Sequence, residues 1–325
     1  MRWGFLGAGG IARNSLGPAV HAARWAELRA AAARDCGRAE LLGAEVVHAD
    51  YATVLADPSV DIVYVSLHNS AHLDWTVRAL RAGKHVVCEK PLGLTADEVA
   101  TMTSVAAEEG RLLVEACWNR WHPRTRMVAD LLREGELGTV RSVRAQFLGE
   151  RPAPGNYRHD ALLGGGALYD VGCYAIAGAL LAFDWQRPVV VSARQRTDPA
   201  GADSHVRAEL GFPSGTAVVE AGLTGERAEV LRIVGDAGEV TLADPAFTAG
   251  AGPARLDWRT AARGQGSTAF EPVNPYILMV DAICAALRGD DGAFVVSLAD
   301  SLVVAQVVDA IKATLREARL VPERD

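Results

Sequence analysis

The sequence has few cysteines, no long apolar run and no block of basic residues. Its five cysteines are scattered without a C-x-x-C pair, so neither a disulfide framework nor a zinc or other metal site is indicated. No apolar stretch approaches the ~20 residues that span a bilayer. The net charge is −7, from 33 Lys and Arg against 40 Asp and Glu, which disfavours nucleic acids and anionic membranes as partners. We therefore expect a cytoplasmic protein that acts on small molecules.

The composition is that of an ordinary folded chain. Hydrophobic residues make up 50% and charged residues 22% of the 325 residues, which excludes disordered and fibrous classes. At roughly 100–200 residues per domain, this length predicts two domains.

Hydrophobic patterning indicates where the two domains divide. From residue 2 to about 115, short β-branched runs alternate with helical patterns, as in a parallel sheet built from βαβ units. Within this part, the first helix is expected to break at Gly17-Pro18. From 188 to 242 the pattern turns to consecutive strands, 244–272 has no clear pattern, and two helices follow. We predict an α/β fold with a doubly wound domain at 1–120 and a second domain at 121–325.

A glycine-rich turn follows the first predicted strand. The segment reads Gly7-Ala8-Gly9-Gly10-Ile11-Ala12 and opens a helix, which is the context of a dinucleotide-binding fingerprint. Gly7 permits the tight turn, Gly9 lets a pyrophosphate approach the backbone, and Ala12 allows close packing of helix on strand. The helix start offers N–H donors to the phosphates.

The end of the second strand bears on the choice of cofactor. NAD-binding folds usually place an acidic residue here to bind the ribose 2′-hydroxyl, but this chain has Ala33 followed by Arg34. A guanidinium could pair with the 2′-phosphate of NADP. NADP is therefore favoured, and the alternative is NAD with Asp35 on the ribose.

Two further motifs carry side chains suited to chemistry. Glu89-Lys90-Pro91 follows a predicted strand, where parallel sheets bind ligands. Asp170 and Tyr174 are four residues apart on a helix behind a glycine triplet, so they share a face. A core tyrosine with a helix-capping aspartate is the alternative for this second motif.

Together these motifs resemble those of the Gfo/Idh/MocA oxidoreductases over nearly the full length. The most specific match is the run A-G-K-H-V-V-C-E-K-P at 82–91. Tyrosine at 174, and the segment 115–123, resemble the branch of dihydrodiol dehydrogenases, aldose dehydrogenases and glucose-fructose oxidoreductase. The family's T-P-N turn reads Leu67-His68-Asn69 here, so its proline is lost.

The resemblance implies an N-terminal Rossmann domain and a C-terminal α+β domain on an open antiparallel sheet. It implies that Lys90 polarises the reacting oxygen, and that Asn69, His72 and Glu89 lie at the cofactor. His72 could equally have a structural role. A nearby cation would favour the phenolate of Tyr174 as acid/base, and Asp170 would hold Lys90 or a substrate hydroxyl.

The expected function is hydride transfer between NADP, or NAD, and a polyol, aldose or cyclic diol. The alternatives are a non-catalytic dinucleotide-binding sensor and an NAD-dependent glycosidase of the same family. Because an open sheet with one helix-covered face leaves the other face to bury, we also expect a homodimer or higher oligomer.

Overall fold

The computed structural model describes residues 1–250 and 252–320 as two compact units. The first comprises residues 1–121 and 274–301, and the second comprises the described residues of 122–273 and 302–320. The predicted assignment of the whole of 121–325 to the second domain differs from these units. Residues 274–301 belong to the first unit.

The first unit contains a six-stranded, wholly parallel sheet with the order β3-β2-β1-β4-β5-β6. The order reverses beside β1, as in a doubly wound fold, and a parallel sheet of this kind is covered on both faces. The strands are β1 (Arg2–Leu6), β2 (Glu27–Ala32), β3 (Val46–His48), β4 (Ile62–Val65), β5 (His85–Cys88) and β6 (Leu113–Glu115).

Helices connect these strands and cover the sheet. They are α1 (Gly17–Ala22), α2 (Cys36–Glu40), α3 (Tyr51–Ala56), α4 (His72–Arg81) and α5 (Ala96–Glu108). The expected break at Gly17-Pro18 does not occur, because a π-helical turn at Ala12–Leu16 runs directly into α1. Pro18 stands in the first turn of α1, directly after the π-helical turn.

The late helix α8 (Pro275–Leu287) supplies part of the core of the first unit. Its Tyr276 ring stacks on Trp118 with ring centroids 4.8 Å apart, and Met279 and Ile283 are fully buried in the same core. In the following segment, Phe294 accepts a hydrogen bond from the Trp121 indole at 3.0 Å. These apolar contacts and this hydrogen bond explain why 274–301 folds with the first unit.

In the described part of the second unit, eight strands form a sheet with the order β14-β13-β12-β11-β7-β10-β9-β8. Neighbouring strands are antiparallel except β7 and β10, which are parallel. The strands are β7 (Val140–Gly149), β8 (Val189–Thr197), β9 (Asp203–Phe212), β10 (Gly215–Leu223), β11 (Ala228–Gly235), β12 (Gly238–Leu242), β13 (Ala254–Thr260) and β14 (Gly264–Phe270). Its last two strands occupy the segment that has no clear pattern in the sequence.

The helices α6 (Pro123–Arg133) and α7 (Cys173–Ala182) belong to the second unit. The helix α9 (Leu298–Leu320) begins in the first unit and continues in the second. α7 packs against β7, β10 and β11. The segment Ala161–Ala182 has the length and apolar composition of a membrane span, but 83% of its most apolar 18-residue window is buried within the protein. Burial of this kind is typical of the central helix of a folded domain.

Candidate active site

The glycine-rich turn depends on close packing between β1 and the segment after β4. Gly7 has φ +97°, and a Cβ there would lie 2.3 Å from the carbonyl oxygen of Ser66. Only glycine meets both demands. The Gly7 amide donates to the carbonyl of Ala32 at 2.8 Å, which joins the turn to the end of β2.

The space in front of the turn is open. A Cβ at Gly9 would meet only the Ser66 hydroxyl oxygen, at 3.9 Å, and one at Gly10 would meet nothing within 4 Å. Helix follows at once, with Ile11 exposed and Ala12 fully buried beneath it. The first N–H groups of a helix have no acceptor within it. An open backbone cradle at a helix start fits a pyrophosphate.

Two arginines follow β2, one in the loop after it and one in α2. Arg34 is exposed, as is Arg38, whose guanidinium donates to the carbonyl of Ala8 in the glycine turn at 3.1 Å. Burial raises the pKa of Tyr51, and the positive charges of Arg34 and Arg38 oppose that rise, so both guanidinium groups lie near this phenol. Arg38 was not among the predicted site residues, although its place four residues after Arg34 was a usable signal.

The neighbouring acidic residue has a structural contact. Asp35 caps α2, and its Oδ1 accepts from the amide of Arg38 at 3.3 Å. A carboxylate at a helix start stabilises that helix. Capping of α2 is therefore a sufficient reason for an acidic residue at position 35, without a role in binding the ribose of a cofactor.

His72 links the segments that follow β4 and β5. Its ring is fully buried, with Nδ1 2.9 Å from the carbonyl of Pro91 and Nε2 3.3 Å from that of Leu67. Burial lowers the pKa of His72 to about 4, so the ring is neutral near pH 7 and donates from only one of its two nitrogens, the tautomer deciding which. Of the two roles left open, this geometry supports the structural one.

Glu89 fixes the backbone before Lys90. Its buried carboxylate accepts from the Tyr64 hydroxyl at 2.6 Å and from the amide of Lys90 at 3.3 Å. Burial, and then the charge of Glu89, raise the pKa of Tyr64 well above its usual value, so Tyr64 remains a hydrogen-bond donor. The Glu115 carboxylate accepts from the amide of Leu92 at 2.9 Å, which holds the other side of the same turn.

These residues meet at one edge of the first sheet. Gly7, Arg34, Asn69 and Lys90 follow β1, β2, β4 and β5 respectively, and parallel strands present their carboxyl ends at the same edge. Asn69 is buried and Lys90 is half-buried there. Asp170 and Tyr174 belong to the second unit.

Asp170 lies in a π-helical turn, Leu168–Gly172, that leads into α7. Its carboxylate forms an ion pair with Arg158, with Oδ2 and Nε 2.7 Å apart. The sequence analysis missed Arg158, which comes from a glycine- and proline-rich loop with no periodicity to reveal it.

Tyr174 is nearly buried at the start of α7, with 6% exposure. Its ring centroid lies 5.4 Å from that of Phe147 and 6.3 Å from that of Phe247. Buried Glu229 holds the Phe247 backbone by accepting its amide at 2.7 Å. Buried Arg124 donates to neighbouring carbonyls, among them that of Ala246 at 2.7 Å, and this burial lowers its pKa to about 10.

The described residues hold no group of three or more metal-ligating side chains. The five cysteines all fall within the described residues, and all are free thiols.

Comparison with known proteins agrees with this geometry. Residues 1–116 match an oxidoreductase family with an NAD-binding Rossmann fold, GFO_IDH_MocA, and residues 125–241 match the C-terminal domain of the same family. A D-xylose 1-dehydrogenase (NADP⁺) from Haloferax volcanii is 35% identical over 96% of both chains. A trans-1,2-dihydrobenzene-1,2-diol dehydrogenase from Mus musculus is 32% identical over 66% of both.

Solved structures of the same kind superpose on nearly the whole chain. A 3-ketoreductase from Actinomadura kijaniata, in complex with NADP and TDP-benzene, matches with a TM-score of 0.85 and 30% identity, over 97% of this chain and 98% of that one. An aldose-aldose oxidoreductase from Caulobacter crescentus, complexed with glycerol, gives 0.86 and 27%, over 98% of each.

The fold and the glycine turn define a dinucleotide-binding oxidoreductase. The chain belongs to the Gfo/Idh/MocA family of oxidoreductases. Its sequence-based resemblance to that family is confirmed.

The buried neutral state of His72 predicts a pH-dependent stability. The folded-state pKa of about 4 lies below the usual value of 6.5, so the unfolded chain takes up a proton first as pH falls. The contribution of His72 to the free energy of unfolding, about 3 kcal/mol, is complete above about pH 6.5 and is lost as the pH falls towards 4. The Tm difference between wild type and His72→Gln should therefore shrink across this range.

The exposed His21 supplies a control, since His21→Gln also removes one histidine. A Tm difference for His72→Gln that stays constant from pH 7 to pH 4 would contradict the buried neutral ring.

Proposed function

We propose that the protein is an NADP-dependent oxidoreductase that moves a hydride between the cofactor and a CH–OH carbon of a sugar, polyol or cyclic diol. The observation that carries this proposal is the open glycine cradle at the same sheet edge as Lys90. The relatives support the substrate class, because they include a xylose dehydrogenase and a dihydrodiol dehydrogenase.

The first unit has groups suited to each part of the cofactor. The N–H groups at Gly9, Gly10 and Ile11 would bind the pyrophosphate. Arg34 and Arg38 would bind the 2′-phosphate, since planar guanidinium groups pair with phosphate oxygens. Asn69 and Lys90 would lie towards the reacting end, and the nicotinamide supplies the hydride chemistry when bound.

Cofactor choice should respond to the charge at the end of β2. Ala33 is almost fully buried beside Arg34, and Ala33→Asp would bring a carboxylate near the 2′-phosphate. We expect the preference, measured as kcat/KM for NADP over NAD, to shift towards NAD.

Ala33→Ser is the matched control, because it adds a small polar group without charge. A wild-type preference for NAD would overturn the assignment of Arg34 and make Asp35 the candidate ribose ligand.

We assign the proton transfer to Tyr174 and the polarising role to Lys90. A free phenol has a pKa of about 10, and an ammonium near the phenol would favour the phenolate at working pH. An unpaired carboxylate at Asp170 would oppose this lowering of the phenol pKa, because its negative charge disfavours the phenolate. Its ion pair with Arg158 offsets that charge, so Asp170 is suited to orient Arg158 or a substrate hydroxyl.

Lys90→Met and Tyr174→Phe keep side-chain bulk but remove the ammonium and the phenol. Tyr174→Phe should lower turnover roughly 10²–10⁴-fold, with cofactor affinity nearly unchanged. The losses should be less than additive in the double variant, because Lys90 tunes Tyr174. Steady-state kinetics and cofactor titration measure both effects.

Tyr169→Phe removes a phenol from the adjacent turn and should keep near-normal turnover. Near-normal turnover in Tyr174→Phe would make Tyr174 a core residue and pass the acid/base role to Lys90. Fully additive losses would show that the two groups act independently.

We also propose that the chain forms a homodimer or higher oligomer through the open face of the second sheet. That face carries a linked polar group in which Glu220 accepts from Arg207 at 2.9 Å and from Gln146 at 3.2 Å and lies 2.9 Å from His205. Half-buried Val218 lies on the same face as Glu220 by strand alternation. A satisfied polar network with apolar neighbours suits an interface between copies.

Sedimentation at micromolar concentration should give a mass at least twice 34.4 kDa. Val218→Arg should lower that mass, while Leu41→Arg, at the exposed residue that follows α2, should leave it unchanged. A monomeric wild type would contradict the proposed interface.

We expect the partner to be a small-molecule substrate rather than nucleic acid or membrane. Five free thiols suit a reducing compartment, so we place the protein in the cytoplasm.

A further inference from the structure

A cavity of about 250 Å³ lies within the second unit, between the loop at 151–166 and the β8–β9 hairpin. Arginine, histidine and aspartate side chains predominate among its polar walls. The lining residues are Arg151, Pro152, Arg158, His159, Arg196, Thr197, Asp198, Pro199, Asp203, Ser204, Leu223 and Thr224.

Hydrogen bonds hold the two walls of this cavity together. Asp160 and Gly201 form an antiparallel bridge between the loop and the hairpin. His159 spans the same two segments, since its Nδ1 lies 2.8 Å from the Asp198 carboxylate and its Nε2 lies 3.0 Å from the carbonyl of Pro152. The cavity is therefore shaped before any ligand enters.

The surroundings of His159 favour its protonated form. Both ring nitrogens face oxygen atoms, and a protonated ring can donate to both. The hydrogen bond to Asp198, and then that to Pro152, raise the pKa of His159. The charge of the protonated ring is balanced locally by the Asp198 carboxylate.

The remaining charges do not balance within the cavity. Arg158 pairs with Asp170. Half-buried Asp203 accepts from the amide of Leu168 at 2.7 Å, and the positive charge of Lys312 opposes the rise in its pKa that burial causes. Among the described residues, the guanidinium groups of Arg151 and Arg196 have neither an ion-pair nor a hydrogen-bond partner. Two guanidinium groups therefore line the cavity without an ion-pair partner.

These two charges match a dianion. A phosphomonoester carries nearly two negative charges at neutral pH, and planar guanidinium groups bind its oxygens in pairs. The volume is below the ~300–1,000 Å³ of pockets that enclose a whole small-molecule ligand. It is therefore suited to one substituent rather than to a complete sugar nucleotide.

We propose that this cavity binds the phosphate group of a phosphorylated sugar or polyol, and that Arg151 and Arg196 determine this specificity. The proposal rests on the proposed function, because it names the substrate class of the same enzyme. The link to the chemistry is Arg158, which lines the cavity and pairs with Asp170, four residues before Tyr174. A substrate held by its phosphate would extend from here towards that helix.

Binding is tested first, without turnover. Inorganic phosphate is titrated calorimetrically into the full-length protein at constant ionic strength, since salt screens exposed charges. The wild type should bind phosphate, and Arg151→Gln and Arg196→Gln should each weaken binding about tenfold. Arg194→Gln is the matched control, because Arg194 is exposed on β8 but does not line the cavity.

Specificity is tested next with pairs of neutral aldoses and their monophosphates. The wild type should favour the phosphorylated member in kcat/KM by about a hundredfold, because the neutral aldose lacks the phosphate that would contact the two arginines. The double variant Arg151→Gln/Arg196→Gln should lose this preference while it retains turnover of the neutral aldose.

The outcomes separate this inference from the proposed function. Turnover of neutral sugars with no phosphate preference overturns the inference and leaves the oxidoreductase assignment intact. Phosphate binding that depends on Arg151 and Arg196, with no turnover of any sugar, supports the site but contradicts the oxidoreductase assignment. Equal loss in Arg194→Gln, or a preference for sugar carboxylates over phosphates, overturns the inference.

Discussion

The close approach of the glycine turn to the segment after β4 is the constraint on which the first unit depends. Any side chain at Gly7 would come within 2.3 Å of the Ser66 carbonyl oxygen and force the turn away from the sheet. With glycine there, β1 pairs with β4 in parallel, and the following helix starts at the carboxyl edge of the sheet. Arg34 and Lys90 reach that same edge from neighbouring strands.

In the second unit, aromatic and polar contacts hold Tyr174 in a nearly buried position. Tyr174 packs on Phe247, whose backbone is fixed by the buried carboxylate of Glu229. Arg124 satisfies the carbonyls of the same loop. Buried charges are costly unless their hydrogen bonds are made, so this polar frame fixes the aromatic wall around the phenol.

The sequence predicted features that depend on local pattern. The strands of the first sheet, the glycine turn and the Lys90 turn could be found because period and turn chemistry are local. Tertiary contacts decided the rest: α8 joins the first core through Tyr276 and Trp118. β13 forms by pairing with β12, and β14 forms by pairing with β13. Arg158 could not be found, since only the folded loop brings it to Asp170.

The central claim is hydride transfer with NADP, and one assay tests it most directly. A panel of sugars, sugar phosphates, polyols and cyclic diols is offered with NADP or NAD, and absorbance of the reduced cofactor is followed. The account predicts net reduction with at least one member of the panel, faster with NADP. Tight cofactor binding without net reduction on any member would contradict it and leave a sensor or a hydrolase that regenerates its cofactor.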